Sequence, residues 1–197
     1  IKMVRKDFKL ISKWIKSDSK VLDLGCGDGS LLKLLNEERN VTGYGIDSSI
    51  EKTIKSLDKN INVINADINN KFDLFLEKSF DYVILAQSLQ VVNNPVSLIK
   101  EMLRIGDEAI ISFPNMGYWK SRLYLFINGR MPVTGELPYS WHSTPNIHLC
   151  TITDFKDMCH LNNFSIVDEM ISNNKDENIS KSYFSNLMGA SAIFRIK

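Results

Sequence analysis

The chain has few cysteines, and their positions exclude two kinds of stabilising cross-link. Only three occur among 197 residues, at Cys26, Cys150 and Cys159, and no two of them form a C-x-x-C pair. Metal-ligand spacing is therefore absent, and an odd number of distant cysteines does not indicate a disulfide framework. The sequence also begins without an apolar stretch long enough for a signal peptide. We therefore expect a protein of the reducing cytoplasm that uses no metal.

The chain also lacks an excess of one charge and any long apolar run. Its 24 basic and 23 acidic residues give a formal net charge of +1, whereas proteins that bind nucleic acid usually carry a strongly basic surface. No window approaches the roughly 20 apolar residues of a membrane span. We therefore expect neither nucleic acid nor a membrane as a partner.

Short apolar strands and amphipathic helices follow one another along the chain. Five strands are predicted at 20–24, 41–46, 62–65, 80–86 and 108–113, with helices between several of them. This alternation is typical of right-handed βαβ units and a parallel sheet. Two more strands, at 164–171 and 190–196, are joined by a polar stretch at 173–182. We expect a single α/β domain over residues 1–197: a doubly wound, Rossmann-like, mainly parallel seven-stranded sheet with an antiparallel last strand.

One long segment interrupts the alternation after the fifth strand. Residues 114–150 are rich in aromatic residues, glycine and proline, and they show no clear period. A segment of this length is too long for a simple connection and usually carries function. We expect an aromatic-rich insertion at about 114–150.

A glycine-rich loop directly follows the first strand. Asp23-Leu24 ends the strand, and Gly25-Cys26-Gly27-Asp28-Gly29 forms the loop. Glycines permit a tight turn and let a ligand lie against bare main chain, while the following helix offers unpaired N–H groups and a positive dipole end. Pyrophosphate-binding loops have the spacing G-x-G-x-x-G instead.

The carboxylate before this loop favours a cationic ligand. Asp23 would repel a pyrophosphate but attract the ammonium and sulfonium groups of S-adenosylmethionine. We therefore predict that Asp23, Gly25 and Gly27 bind S-adenosylmethionine or S-adenosylhomocysteine. Another nucleotide, or a glycine turn that binds nothing, is the alternative.

Asp47 ends the second strand, and Ser48 and Ser49 follow it. A carboxylate about 20 residues beyond such a loop can accept hydrogen bonds from ribose hydroxyls. Either serine can cap the next helix. We predict that Asp47 and Ser48 contact the cofactor; a purely capping role is the alternative for Asp47.

Two further strands end in residues suited to the rest of the ligand. Asp67 follows the third strand, where its carboxylate can accept a hydrogen bond from the adenine amine while Ile68 packs on the ring. An ordinary turn aspartate is the alternative. Gln87 closes the fourth strand, at the crevice where open α/β sheets bind ligands. Asp67, Ile68 and Gln87 complete the predicted cofactor-binding residues.

Together, the glycine loop, Asp47 and Asp67 resemble the class I S-adenosylmethionine-dependent methyltransferase family. The blocks Ala86-Gln-Ser-Leu-Gln-Val-Val and Pro145-Asn-Ile-His-Leu-Cys-Thr further resemble the MetW family of methionine-biosynthesis proteins, over nearly the whole chain. That resemblance implies a methyltransferase-like fold and a protein that supports or activates its partner, homoserine O-acetyltransferase. It supplies no methyl acceptor.

Side chains for acid–base catalysis are missing where many small-molecule methyltransferases carry a Glu-His pair. Gln90-Val91 stands there, and neither residue moves a proton near neutral pH. His142 and His148 are candidates for a proton shuttle, with a structural histidine as the alternative for each. The sequence identifies no catalytic residue.

Three functions therefore stay open. The first is a protein that binds S-adenosylmethionine and docks on the acetyltransferase through the 114–150 segment. The second is a methyltransferase for a small, anionic metabolite held by Lys120, Arg122 or Arg130. The third, a regulator that has lost the cofactor, conflicts with the intact glycine loop.

Overall fold

The computed structural model describes residues 5–69, 75–135, 137–173 and 184–197. In these ranges the strands are β1 (Lys20–Leu24), β2 (Thr42–Asp47), β3 (Asn62–Asn65), β4 (Phe80–Ala86), β5 (Gly106–Pro114), β6 (Ile166–Ser172) and β7 (Ser191–Ile196). The helices are α1 (Lys6–Ser12), α2 (Ser30–Arg39), α3 (Ile50–Leu57), α4 (Pro95–Ile105), α5 (Trp119–Asn128), α6 (Ile152–Leu161) and α7 (Ser185–Met188), with a 3-10 turn at Leu89–Val91. Apart from Asn173, the polar stretch predicted at 173–182 lies outside the described residues.

The strands form one mixed sheet in the order β3-β2-β1-β4-β5-β7-β6. Strands β1 to β5 pair in parallel, and β7 runs antiparallel to both β5 and β6. This confirms the predicted α/β class and the antiparallel last strand. The chain order reverses between β1 and β4, which makes the carboxyl ends of these two strands the switch point where such sheets bind ligands.

Helices cover both faces of the sheet because its central strands are apolar on both sides. Val21 of β1 packs in one cluster with residues of α1 and α2. Leu22 and Leu24 face the opposite way and join a cluster with residues of α4 and α6. Successive strand residues point to opposite faces, so this short strand links the two cores.

Capping residues fix where the helices begin. Asn94 accepts a hydrogen bond from the Ser97 N–H, and Pro95 occupies the first turn of α4, where a missing N–H costs nothing. Thr151 caps α6 in a reciprocal capping box with Asp154.

None of the helices in the described ranges has the length and apolarity that a membrane crossing demands.

The segment 114–150 contains a helix that the sequence pattern did not reveal. Helix α5 reads WKSRLYLFIN, and Ser121 is its buried residue. Apolar side chains point to all sides of α5, so no 3.6-residue period is visible. Its aromatic and aliphatic residues lie exposed on the surface, Phe126 being 87% and Ile127 67% exposed.

Candidate functional site

The glycine loop connects β1 to α2 at the switch point. Its first two N–H groups, of Gly25 and Cys26, donate to the Ile46 carbonyl oxygen at 2.8 and 2.9 Å. Gly27 has a φ of 59°, and a Cβ built on it would meet nothing within 4 Å. A Cβ on Gly25 would lie 2.8 Å from Ser88 Oγ. Gly25 therefore allows close packing, whereas Gly27 presents bare main chain to open space.

The Asp47 side chain holds this loop against the start of α3. Its Oδ2 accepts the Gly27 N–H and its Oδ1 accepts the Ser49 N–H, both at 2.9 Å. The carbonyl of the same residue is also held, since Ser56 Oγ donates to the Gly27 carbonyl at 3.0 Å. Ser49, not Ser48, caps α3. Hydrogen bonds within the chain therefore fix the loop conformation. The contact of Asp47 with a ribose stays a prediction, in which the remaining lone pairs of its carboxylate would accept the hydroxyl groups.

Asp23 is a buried carboxylic acid in β1, two residues before the loop. The residue is 2% exposed, and its Oδ1 has no hydrogen-bond partner among the described residues. Burial raises the pKa of Asp23 to about 8; the charges of Asp47 and Asp7 add to the rise, and Arg5 opposes it. An unpartnered buried carboxyl oxygen is costly, so this atom is suited to a cationic or donating group from outside the chain.

The other predicted contacts follow the carboxyl ends of β2, β3 and β4. Ser48 is exposed beside Asp47. Asp67 Oδ1 accepts the backbone and side-chain N–H groups of Asn69 at 2.9 and 3.0 Å. Ile68 packs partly buried against the core. Gln87 has a φ of 57°, and its N–H approaches both oxygens of Ser112 at 3.0 Å. The sheet order sets these strand ends side by side, while their contacts with a ligand stay predictions.

A cleft of about 690 Å³ opens at this end of the sheet. Gln87 and Gln90 line it after β4, Tyr139 lines it from the 114–150 segment, and Arg5 and Asp7 line it from the start of α1. Sequence reasoning missed Arg5 and Asp7, because nothing in an amphipathic helix pattern indicates which strand ends its first turn will meet. Only the fold brings Asp7 within 3.5 Å of Ser112 Oγ, 105 positions along the chain.

The candidate proton carriers are not at this cleft. The N–H groups of Ile147 and His148 donate to the Gln90 carbonyl at 2.8 and 3.0 Å, and His148 Nε2 lies 3.4 Å from the Asn93 carbonyl oxygen. His148 lines a separate apolar pocket with Phe155. His142 is exposed against the Trp141 ring. Among the described residues lining the cleft, none is a histidine or a cysteine.

The basic residues considered for an anionic metabolite also lie elsewhere. Arg122 Nε donates to the Gly117 carbonyl at 2.6 Å, and the Lys120 ammonium lies 5.7 Å from the Trp119 ring centre. Neither these residues nor Arg130 are among the described residues that line the cleft, where the cations are Arg5 and Lys6. In the same described ranges, no group of three or more His, Cys, Asp or Glu side chains could hold a metal ion.

Comparisons with known proteins agree with the architecture. Residues 5–196 match the family described as Methionine biosynthesis protein MetW. The bifunctional methionine biosynthesis protein MetXA/MetW of Rhodopirellula baltica is 38% identical over 173 residues; the match covers 83% of this chain but only 28% of that protein. A demethylmenaquinone methyltransferase of Listeria monocytogenes is 30% identical over 162 residues, covering 68% of each chain.

Solved structures establish the same fold at low sequence identity. An S-adenosylmethionine-dependent methyltransferase from Mesorhizobium loti superposes with a TM-score of 0.71 at 14% identity, covering 98% of both chains. The cyclase SpnF superposes with a TM-score of 0.68 at 13% identity, covering 98% of this chain and 80% of that one. Proteins with different activities share this fold, so the function has to be argued from the site.

Proposed function

Because the chain belongs to the methionine-biosynthesis MetW family, we propose that it binds S-adenosylmethionine and supports homoserine O-acetyltransferase as a docking partner. In this proposal, binding of S-adenosylmethionine to the chain makes the activity of the partner depend on the concentration of that nucleoside. The ligand is a methyl donor by its own chemistry, but the accessory role does not require the methyl group to be transferred.

The unpartnered oxygen of Asp23 is the observation that carries the ligand assignment. It is buried in β1, two residues before a glycine loop whose main chain at Gly27 faces open space. A positively charged nucleoside suits both features. Its cation can pair with the Asp23 oxygen, and its flat rings can lie against the main chain at Gly27, where no side chain intervenes. Asp47, Asp67, Ile68 and Gln87 would then contact the ribose and adenine, with Ser48 at the edge.

Helix α5 supports the docking role. A helix that is apolar on all sides is normally buried, yet Leu123, Phe126 and Ile127 lie exposed. Large apolar patches of this kind mark interaction sites, and aromatic residues are the type enriched at interface hot spots. The fusion named MetXA/MetW in a 38% identical relative supports a partner within the same biosynthesis.

The chain path links the two proposed sites. Gly135, Pro138 and Tyr139, which follow α5 in sequence, line the cleft beside Gln87. A ligand that favours one arrangement of this segment also favours one arrangement of α5, and such coupling is reciprocal. The nucleoside would therefore change the affinity for the partner, and the partner the affinity for the nucleoside.

The direct test combines purified chain and homoserine O-acetyltransferase and follows complex formation by size-exclusion chromatography. Acetyl transfer is then measured while S-adenosylmethionine is titrated. We expect a complex and a change in acetylation rate that saturates with the nucleoside. Absence of a complex together with an unchanged rate would overturn the partner assignment, and absence of nucleoside binding by calorimetry would overturn the ligand.

A pair of matched variants tests the docking surface. Phe126→Lys combined with Ile127→Lys should abolish the complex, because charges replace the exposed apolar face of α5. The control is Ile54→Lys with Leu57→Lys on α3, whose side chains are also exposed, at 54% and 55%. Loss of the complex in the α3 variant alone would move the docking surface to the other edge of the sheet.

The alternative function is methyl transfer to a small anionic metabolite, and two observations favour it. The chain is 30% identical over 162 residues to a demethylmenaquinone methyltransferase, and the half-exposed Arg5 guanidinium at the cleft is suited to an anion. Incubation with the methyl-labelled nucleoside and a metabolite extract distinguishes it from the accessory role. Labelled product that disappears in Asp23→Ala would support catalysis.

A further inference from the structure

Helix α5 has no buried face along most of its length. Ser121, in its first turn, is buried, but all of residues 122–131 are exposed, and none of the described helices and strands packs extensively against α5. Residues 123–127 are five consecutive apolar residues, each at least 41% exposed. Because a helix has 3.6 residues per turn, five consecutive side chains point in every direction around its axis. The helix therefore presents apolar surface on all sides.

The charges on and beside α5 are positive. Lys120, Arg122 and Arg130 are exposed, and no carboxylate of the described residues forms an ion pair with any of them. The whole segment 114–150 contains a single acidic residue, Glu136, although the chain as a whole has nearly equal numbers of acidic and basic residues. Surfaces that associate carry complementary charges. A surface that receives α5 should therefore carry carboxylates around its apolar part.

The shape of this surface favours a groove over a flat face. A flat face covers one side of a helix, whereas a groove covers several sides at once, as in complexes where a helix lies in an apolar groove. A lipid surface would also accept apolar side chains, but helices that lie on membranes keep a strongly polar face. Helix α5 has no such face between Leu123 and Ile127. A groove in a protein fits it better.

We propose that α5 inserts into an apolar groove of homoserine O-acetyltransferase, and that carboxylates at the rim of this groove pair with Lys120, Arg122 and Arg130. This inference rests on the proposed function, which gives the partner but not the form of the contact. In this arrangement the partner covers residues 123–127 on all sides, and the charge pairs at the rim set the register of the helix in the groove.

The shape is tested by truncating side chains one at a time around the helix. Tyr124→Ala, Leu125→Ala, Phe126→Ala and Ile127→Ala each remove one side chain at successive positions, and alanine preserves the helix. The affinity of each full-length variant for the acetyltransferase is measured by calorimetry. We expect all four to weaken the complex about tenfold or more, as for buried interface residues. Losses confined to one side of the helix would contradict the groove and leave the partner assignment intact.

The charged rim is tested by reversing one charge. Arg130→Glu should weaken the complex about tenfold at low salt, because it places like charges opposite each other, and the difference from wild type should shrink as salt is added. Lys52→Glu, the same change at an exposed site on α3, is the control and should leave the affinity unchanged. Equal affinities of these two variants would contradict the acidic rim. Leu57→Ala, also exposed on α3, is the control for the apolar series.

A second arm separates a protein groove from a lipid surface. Vesicles of phosphatidylcholine and phosphatidylserine are sedimented with wild-type chain and with Phe126→Ala. The groove predicts that neither protein sediments with the vesicles. Vesicle binding that Phe126→Ala removes, together with no complex with the acetyltransferase, would overturn the groove and assign α5 to an anionic membrane. Absence of both the complex and vesicle binding would overturn the docking role itself, and with it this inference.

Discussion

At the residue scale, Asp23 carries the most unusual chemistry in the described part of the chain. Its neighbours Asp47 and Asp7 are acidic, and one of its own oxygens is unpartnered. A polar group in this position costs stability and is retained where something binds it. The balance between that cost and ligand binding is measurable in two ways.

The first measurement is the pH dependence of ligand binding. The raised pKa of Asp23, about 8, means that the ligand-free protein holds a proton there at neutral pH, whereas a bound ammonium favours the carboxylate. Binding should therefore release a proton, and affinity should rise with pH between about 6 and 7.5, by up to about tenfold per pH unit. Calorimetry in two buffers of different ionisation enthalpy counts the protons. In Asp23→Asn the proton release should vanish.

The second measurement is the stability of the ligand-free protein. Between the ordinary pKa of 3.8 and the folded value of about 8, the folded state binds more protons than the unfolded state. The free energy of unfolding should therefore fall as pH rises through that window. Asp23→Asn should raise it at pH 8 by at least about 1 kcal/mol, since one pKa unit corresponds to about 1.4 kcal/mol. Urea unfolding of this variant and of the exposed-site control Asp58→Asn provides the comparison.

Asp47 serves the loop as well as the predicted ribose contact. Asp47→Ala removes acceptors from the N–H groups of Gly27 and Ser49 and any bond to the ribose hydroxyls. We expect ligand binding to weaken by about 1.5–3 kcal/mol, the range for hydrogen bonds to a charged group. Calorimetry against S-adenosylhomocysteine measures this loss. An unchanged affinity would contradict both roles, because a loosened loop and a lost contact act in the same direction.

At the element scale, the termini of several elements meet at one buried side chain. Asn115 is 2% exposed; its Nδ2 donates to the carbonyls of Asn186 and Gly189 at 2.8 and 2.7 Å. Its Oδ1 accepts the N–H groups of Gly117 and Ile152 at 2.9 and 3.2 Å. One amide thus joins the turn before α5, the first turn of α6 and the end of α7.

Replacing this side chain should loosen all three elements together. Asn115→Ala leaves four backbone groups without their amide partner, and we expect a loss of stability on the order of 3 kcal/mol. The control is Asn128→Ala, whose side chain makes a single bond to the Tyr124 carbonyl on the exposed surface of α5. Thermal unfolding compares the two variants. Similar melting temperatures would show that the buried amide is not a stability centre.

At the scale of the whole molecule, the exposed helix α5 is the feature that an isolated globular chain would not keep. The double variant Phe126→Ser with Ile127→Ser should stay monomeric up to a higher protein concentration than the wild type. The reason is that two of the most exposed apolar side chains are removed. Analytical ultracentrifugation over a range of concentrations measures this. Leu161→Ser, at a site 78% exposed at the end of α6, is the control and should leave self-association unchanged.

Local sequence signals were sufficient for most elements of the sheet. Strands β1, β3 and β4 begin and end at the predicted residues. Each of these strands has a short cluster of apolar residues that includes β-branched ones, so its limits are encoded within a few positions. Helix α5 was missed because a chain segment that is apolar on every side has no period to detect.

The sequence by itself determined the α/β alternation, the glycine loop and the family, because each depends on residues close together in the chain. Tertiary structure decided which distant groups share the cleft. Arg5 and Asp7 line the cleft, and Asp7 lies near Ser112, only because α1 packs against the sheet. The backbone of His148 is held at the Gln90 carbonyl, and its side chain does not line the cleft. The unpartnered state of the Asp23 oxygen is likewise a property of the fold, since burial and neighbouring charge arise only when the strands and helices have closed around it.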